Sequence, residues 1–303
     1  MSAKLFRTML YVPGNSWRMI QRALRERVDA VILDMEDAVP IGEKETARWF
    51  VKDAVKPLRQ AGLDVYVRVN GLATGLTAED LEFVVQEDLS GVMLPKSETR
   101  ENILELEGLI EAEEKKKGLK PGSVSIVPLI ETAKGILNAY DIVNASKRVA
   151  ASGFGAGDYM RDLGRSYIAM SPEETEILYA RSHLALASRV AGVPAIDTPF
   201  FGLIIDREGL VKESRMAAQL GFKGKQVIHP THIDPVNQVF SPSEEEIESA
   251  KKVIEAYKEA SARGLGAASL EGRMIDYATY EMAKDLLAFA EAIAEREEKG
   301  TEE

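Results

Sequence analysis

The sequence contains no cysteine. That excludes disulfides, a thiolate-held zinc and a cysteine nucleophile. Histidine is scarce as well: His183, His229 and His232 are the three in 303 residues, too few for a histidine-rich metal centre. A metal here would be held by carboxylates, and oxygen ligands favour Mg²⁺, Mn²⁺ or Ca²⁺. No apolar run is long enough to span a membrane, and the opening MSAKLFRTML lacks a signal-peptide pattern. Basic residues are outnumbered, with 38 Lys and Arg against 49 Asp and Glu, a net charge of -11. That balance argues against general nucleic-acid binding. These absences lead to the expectation of a soluble, cytoplasmic protein with no membrane and no nucleic-acid partner.

What is present is alternation. Eight short β-rich runs are separated by longer helical stretches: TMLYVP (8–13), AVILDM (30–35), DVYVRVN (64–70), GVMLPK (91–96), VSIVPLIE (124–131), VAASGFG (149–155), PAIDTPF (194–200) and KQVIHP (225–230). Near-continuously apolar strands alternating with helices indicate a parallel α/β sheet. Eight such units predict a (β/α)₈ TIM barrel. A doubly wound open sheet is the alternative, but no glycine-rich dinucleotide fingerprint follows the first strand. The barrel is expected over residues 1–240. Residues 241–303 follow as a C-terminal helical extension, with GLGAASLEG as a small-residue loop and GTEE as a frayed end.

In such barrels chemistry sits at the C-terminal ends of the strands. Those ends are polar here. They carry Asp34, Glu36 and Asp37, then Arg68 and Asn70, then Lys96, Glu131, Asp158, Asp197 with Thr198, and His229. Glu131 and Asp158 come from adjacent strands and form the best ligand pair for an octahedral Mg²⁺, which takes one or two carboxylates plus waters and substrate oxygens. Glu36 and Asp37 would accept hydrogen bonds from metal-bound water. Taken singly, each of these acids reads first as a salt bridge or a helix cap, and it is their joint place at strand ends that favours a site. Arg68, inside a strand, is either an anion or enolate binder or a structural partner of an acid such as Asp34. Arg18, Arg22 and Arg25 share one face of a helix over NSWRMIQRALRER, with Met19, Ile20, Ala23 and Leu24 on its buried side; periodicity alone makes the basic face a solvated one. His183 is structural, His229 a site candidate, and His232 a loop residue.

The segments LYVPGN, LDMEDAVP, VRVN, MLPKSE, IETAKGI, GAGDY and GKQVIHP occur in one order along nearly the whole chain. Together they resemble the HpcH/HpaI aldolase/citrate lyase β-like family of Mg²⁺-dependent carbon–carbon lyases. The resemblance implies a (β/α)₈ barrel, a homotrimer or hexamer, and cleavage or formation of a bond between an acyl-thioester enolate and a 2-oxo acid. It matches Glu131 and Asp158 to the Mg²⁺ ligands and Arg68 to the enolate-stabilising arginine. Glu36 and Asp37 match the acids around the metal's waters. Tyr11, Arg18 and Arg22, with His229 added, become the coenzyme A-binding candidates, so the basic face turns into a phosphate site.

The tail EGRMIDYATYEMAKDLL resembles the lid of malyl-CoA and citramalyl-CoA lyases, in which an Asp after MI, here Asp276, is the acid/base. One departure is Tyr277, where relatives often have proline. The expected substrates are (S)-citramalyl-CoA or malyl-CoA, giving acetyl-CoA with pyruvate or glyoxylate. Alternatives are a citrate lyase β subunit, against which the lid argues, an aldolase for free hydroxy-oxo acids, a malyl-CoA thioesterase, and a non-catalytic acyl-CoA-binding module.

Overall fold

The computed structural model describes residues 4–171 and 173–299; the 300–303 end, expected to fray, lies outside them. Eight parallel strands pair in sequence order: β1 (Thr8–Pro13), β2 (Ala30–Asp34), β3 (Asp64–Arg68), β4 (Gly91–Leu94), β5 (Ser125–Ile130), β6 (Ser152–Phe154), β7 (Ala195–Asp197) and β8 (Gly224–Val227). β1 closes the barrel on β8, with Thr8 beside Lys225 and Leu10 beside Val227. The strands are shorter than their apolar runs. The ladder ends where the polar residues begin, so most of the chemistry-bearing side chains sit on the loops that follow.

Alternation along each strand assigns every residue to one of two cores. Met9, Ile32, Tyr66, Met93, Leu129 and Ile196 point inward and fill the barrel. Their neighbours Leu10, Val31, Leu33, Val65, Val67 and Val92 point outward, against the helices. Each such side chain contributes about 1.5–3 kcal/mol relative to exposure.

The same parity corrects one sequence expectation. Ile196 faces in, so Asp197 faces out, and its carboxylate belongs to the barrel wall rather than to the site. It takes Arg181 Nε at 2.8 Å and Lys225 Nζ at 2.7 Å. Glu213 joins the cluster through Arg181 Nη2 at 2.9 Å, and Glu174 also meets Arg181. Arg181, Asp197 and Lys225 are wholly buried, and each buried charge has partners of opposite sign, without which burial would be prohibitive. Asn70 is corrected likewise. β3 ends at Arg68, the alternation lapses, and Asn70 turns to Asp80, donating its N–H at 2.8 Å and its amide at 2.7 Å.

The helix after β1 is only Trp17–Ala23. Arg25 therefore falls in the following turn, and Met19 and Leu24 are exposed, leaving Ile20 and Ala23 as the buried side. His232 is buried rather than in an open loop, its Nε2 3.3 Å from the Ile204 carbonyl.

The described residues divide into two compact units, Phe6–Phe240 and residues 4–5 with 241–299. In the second, the helix Glu244–Ala262 starts at a capping box in which Ser243 and Glu246 satisfy each other's backbone N–H groups. The expected small-residue loop instead forms a hairpin, β9 (Ala268–Leu270) with β10 (Arg273–Ile275). Its turn residues Glu271 and Gly272 both have positive φ, 50° and 79°, as a tight two-residue turn requires. The helix Tyr277–Lys299 follows, and Val253, Ile275 and Ala283 form the unit's small core. Among the described residues no helix is long and apolar enough to cross a membrane.

One ion pair in the barrel unit makes stability depend on pH. Glu114 accepts Arg148 Nη1 at 2.9 Å and Nη2 at 2.8 Å, and the N–H groups of Gly122 and Val124, both at 3.0 Å. Burial pushes its carboxyl up, but these donors and the guanidinium charge outweigh it and hold it down at about 2, against 4.5 ordinarily. A depressed pKa stabilises the fold above the unfolded value and loses that contribution as pH falls through the folded one. Glu114→Ala should cost about 3 kcal/mol at pH 7. In urea titrations the gap from the unmodified protein should shrink as pH drops from 4.5 towards about 2.

Candidate active site

The inward-facing residues at the C-terminal ends of the strands bound a cavity of about 1000 Å³. Asp34, Arg68, Glu131, Gly155, Thr198 and Gln226 line it. They come from strands spread around the whole barrel, and closure brings together residues as distant in sequence as Tyr11 and Gln226, 215 positions apart.

Arg68 is the cation at the centre. Its Nε donates to Asp34 Oδ1 at 2.8 Å and its Nη2 to Asp34 Oδ2 at 2.7 Å, a bidentate pair between neighbouring strands. Nη1 lies 3.2 Å from Glu36 and 3.8 Å from Asp37. Asp34 also accepts the N–H groups of Glu36 and Ala38 at 2.9 and 3.1 Å, so one carboxylate shapes the loop and clamps the arginine. Burial raises its pKa, but Arg68 and the two N–H groups pull it below the usual range. Both readings of Arg68 therefore hold. It is structurally paired with Asp34, and it still lines the cavity.

The acidic wall lies beside it. Thr132, not Glu131, caps the helix after β5 by accepting the Gly135 N–H at 3.0 Å, which leaves the Glu131 carboxylate free to face inward. Glu131 is 3% exposed. Burial first, then the charges of Glu36 and Asp158, push its carboxyl up to about 8. Asp158, in the first turn of the helix Ala156–Asp162, lines the same cavity and pairs with Arg161 Nη2 at 3.2 Å. The arrangement fits a divalent cation: a buried carboxylate held against its own ionisation by like charge gains from positive charge there. Gly155 is part of that fit, since a Cβ on it would come within 2.5 Å of Glu131 Oε2. Among the described residues no three His, Cys, Asp or Glu side chains form a ready ligand set. Mg²⁺ needs no such set, because it keeps waters and takes substrate oxygens beside one or two carboxylates.

Sequence reasoning placed Lys96 at a strand end and gave it no role. Its ammonium meets Glu36 Oε1 and lies 3.6 Å from Asp158, while its N–H donates to Glu131 Oε1 at 2.8 Å. It holds a left-handed φ of 50°, unusual for a lysine and found where surroundings over-determine the backbone. Lys96 thus ties together three acids that would otherwise repel. Arg161 and Arg165, also overlooked, add two guanidiniums to the cavity wall, next to the packed rings of Tyr167 and Phe201.

The remaining predicted residues scatter. Glu36 is buried and committed to Lys96 and Arg68, whereas Asp37 is exposed and lines the cavity. Tyr11 lies in the mouth under Arg68, its hydroxyl donating to Gln226 Oε1 at 2.8 Å. Arg18 and Arg22 are exposed on the helix Trp17–Ala23 and do not line the cavity, and Arg22 pairs with Glu26 at 3.2 Å. His229 is likewise outside the lining; its Nδ1 accepts the Thr231 N–H at 3.3 Å, capping the turn that follows β8. Asp276 belongs to the C-terminal unit, where its Oδ1 accepts the Thr279 N–H and hydroxyl at 2.9 and 2.8 Å.

Comparison with known proteins gives this geometry a family. The model of the HpcH/HpaI aldolase/citrate lyase family matches residues 7–230. The chain belongs to that family. A second model, of a C–C bond lyase of the TIM-barrel fold, matches residues 179–294. The citrate lyase subunit β of Leuconostoc mesenteroides subsp. cremoris is 38% identical over 95% of this chain and 94% of its own length. Human mitochondrial citramalyl-CoA lyase is 34% identical over 96% of this chain and 87% of its own. The structure of CitE from Mycobacterium tuberculosis, in complex with magnesium, acetoacetate and coenzyme A, superposes with a TM-score of 0.72 at 29% identity, covering 94% of this chain and 98% of that one.

As a member of the HpcH/HpaI aldolase/citrate lyase family, the protein is by class a carbon–carbon lyase. One expectation weakens. A match over 95% of the chain includes most of the C-terminal extension, so that extension does not set this protein apart from citrate lyase β subunits. For the metal, Gly155→Ala should displace the Glu131 carboxylate and lower Mg²⁺ affinity by at least about tenfold, measured by titration calorimetry.

Proposed function

We propose that the protein catalyses the Mg²⁺-dependent, reversible cleavage of a 3-hydroxyacyl-CoA, (S)-citramalyl-CoA or malyl-CoA, to acetyl-CoA and pyruvate or glyoxylate. The observation that carries this reading is Arg68. A guanidinium fixed by Asp34 faces the same cavity as the Glu131–Asp158 carboxylate pair. Enolate chemistry needs that juxtaposition: a fixed cation for the thioester oxygen and an oxygen-ligand site for the 2-oxo acid.

Glu131 and Asp158 would hold the Mg²⁺, which when bound supplies Lewis acidity and a template for the oxo acid's carboxylate and adjacent oxygen. Arg68 would stabilise the negative charge that develops on the thioester oxygen. Asp276 would carry the proton to and from the acetyl carbon. The Thr279 hydrogen bonds keep its pKa below the ordinary range, so it stands ionised and able to accept that proton. The C-terminal extension would serve as the lid and shield the thioester from water. In a homotrimer or hexamer, Asp276 would serve the site of a neighbouring subunit. Arg18 and Arg22 would meet the coenzyme's phosphates, and Tyr167 and Phe201 offer an apolar wall for its chain.

A second reading has its own support. Arg165 on the cavity wall, beside an Arg161 that Asp158 already pairs at 3.2 Å, offers a partner for one more carboxylate than pyruvate or glyoxylate brings. Oxaloacetate, and hence a citryl thioester as the cleaved substrate, brings that extra carboxylate. The identity to citrate lyase β subunits points the same way.

Incubation with acetyl-CoA and each of pyruvate, glyoxylate and oxaloacetate, in Mg²⁺ or EDTA, followed by mass spectrometry, separates these cases. A metal-dependent citramalyl-CoA or malyl-CoA product is expected, and citryl-CoA as sole product would establish the second reading. Free CoA without condensation would replace both with a thioesterase. Asp276→Asn keeps a cap acceptor and should leave the unfolding temperature unchanged while reducing kcat by about a hundredfold or more.

A further inference from the structure

Gln226 lies on the inward face of β8 and is 1% exposed. Its Nε2 donates to two backbone carbonyls, Phe154 at 2.9 Å and Asp197 at 3.1 Å. β6 and β7 have three residues each, and their ladder ends at Gly153 beside Ile196. The two carbonyls lie just beyond that ladder, and Gln226 satisfies both. Gly153 packs beneath the amide, where a Cβ would meet Leu129 Cδ1 at 3.0 Å and the amide nitrogen at 3.4 Å.

With both N–H bonds committed, the amide has one orientation. Its oxygen must face β1, and there it accepts the Tyr11 hydroxyl at 2.8 Å. The hydroxyl is thereby anchored at its far end, and burial holds the phenol protonated. The Tyr11 ring in turn lies against the Arg68 guanidinium, 4.9 Å from the ring centroid. Asp34 constrains that guanidinium within its plane through two hydrogen bonds. A bidentate pair still allows the plane to rock, and a ring held against one face prevents it.

We infer that Gln226 and Tyr11 are positioning residues for Arg68, fixing the guanidinium plane through a chain that runs from the open ends of β6 and β7 across β8 to β1. The inference rests on the reading of Arg68 as the enolate-binding group. An arginine that aims charge at a developing oxyanion must be oriented before the reaction, since reorientation during it would spend the stabilisation it gives. The Tyr11 hydroxyl bonds Gln226 and neither Glu131 nor Asp158, so Tyr11→Phe probes the arginine apart from the oxo-acid site, whereas Gln226 also holds the Phe154 carbonyl beside Gly155.

Tyr11→Phe keeps the ring and removes the anchor. Gln226→Met keeps the volume and removes both ends of the link. Each should lower kcat by roughly tenfold, with KM for the acyl-CoA changed less than about twofold, because misorientation acts on the transition state. The double variant should be no slower than either single one. In an Arg68→Ala background, Tyr11→Phe should have no further effect. An equal loss of kcat there would mean that the hydroxyl acts on substrate directly, and it would overturn the inference, as would unchanged kcat in the native background. Should Gln226→Met fail to fold, Tyr11→Phe and the Arg68→Ala cycle carry the test. If the unmodified protein turns over none of the thioesters, the functional reading fails by itself. Positioning is then decided by a crystal structure of Tyr11→Phe: Arg68 rotated off Asp34 supports it, and an unmoved guanidinium refutes it.

Discussion

The bidentate pair between Arg68 and Asp34 is the interaction on which the mouth of the barrel depends. It joins β2 to β3 at the level where their ladder stops. Asp34 uses the same two oxygens to accept the N–H groups of Glu36 and Ala38, so the course of the following loop is set by the carboxylate that clamps the arginine. That accounts for the crowding of acids in LDMED. Asp34 shapes and clamps, Glu36 neutralises Lys96 and one edge of Arg68, and Asp37 faces the open cavity. Three carboxylates can follow one apolar strand because two cations from other strands separate their charges.

This arrangement is only partly self-compensated. Lys96 and Arg68 serve Asp34, Glu36 and Asp158, but Glu131 receives a neutral N–H from Lys96 and remains surrounded by negative charge. Among the described residues the buried Glu36 Oε2 also lacks a hydrogen-bond donor, with Arg68 as its ion-pair partner only. A site left short of positive charge at one buried carboxylate is organised to receive a cation. The outer cluster of Arg181, Asp197, Glu213 and Lys225 makes the contrast. There the charges face one another within the wall, and the purpose is packing.

The eight strands were legible because buried parallel strands read as unbroken apolar runs, and the family's segments fall at their ends. What parity could have added was missed. Alternation did place Arg68 on the face of Tyr66, but the same count from Ile196, which puts Asp197 outside and Thr198 inside, was not made. Beyond the last ladder bond the count stops being informative, as Asn70 shows. Lys96 and Gln226 were harder. Lys96 meets Glu36 across 60 positions and Gln226 meets Tyr11 across 215, and a local pattern carries no trace of such pairs. The basic helix failed for a different reason. Periodicity extended it through Arg25, whereas the helix stops at Ala23 and leaves two arginines rather than three.

The interior of this barrel changes character from one end to the other. Below, the layer of Met9, Ile32, Met93 and Val127 is apolar and tolerates no unpaired polar group. Above, Asp34, Arg68 and Glu131 are polar and gain from substrate or metal. Between them the chain must cross from one regime to the other without orphaning a hydrogen bond. Tyr11 and Gln226 lie at that boundary. The tyrosine's ring packs on the apolar layer and meets Arg68, while its hydroxyl is satisfied by an amide whose nitrogen closes two free carbonyls. An apolar residue at either position would fill the same space. It would also leave the arginine above it with a softer floor, and on the enolate-binding reading proposed for Arg68 a soft floor loses the advantage of a site built in advance.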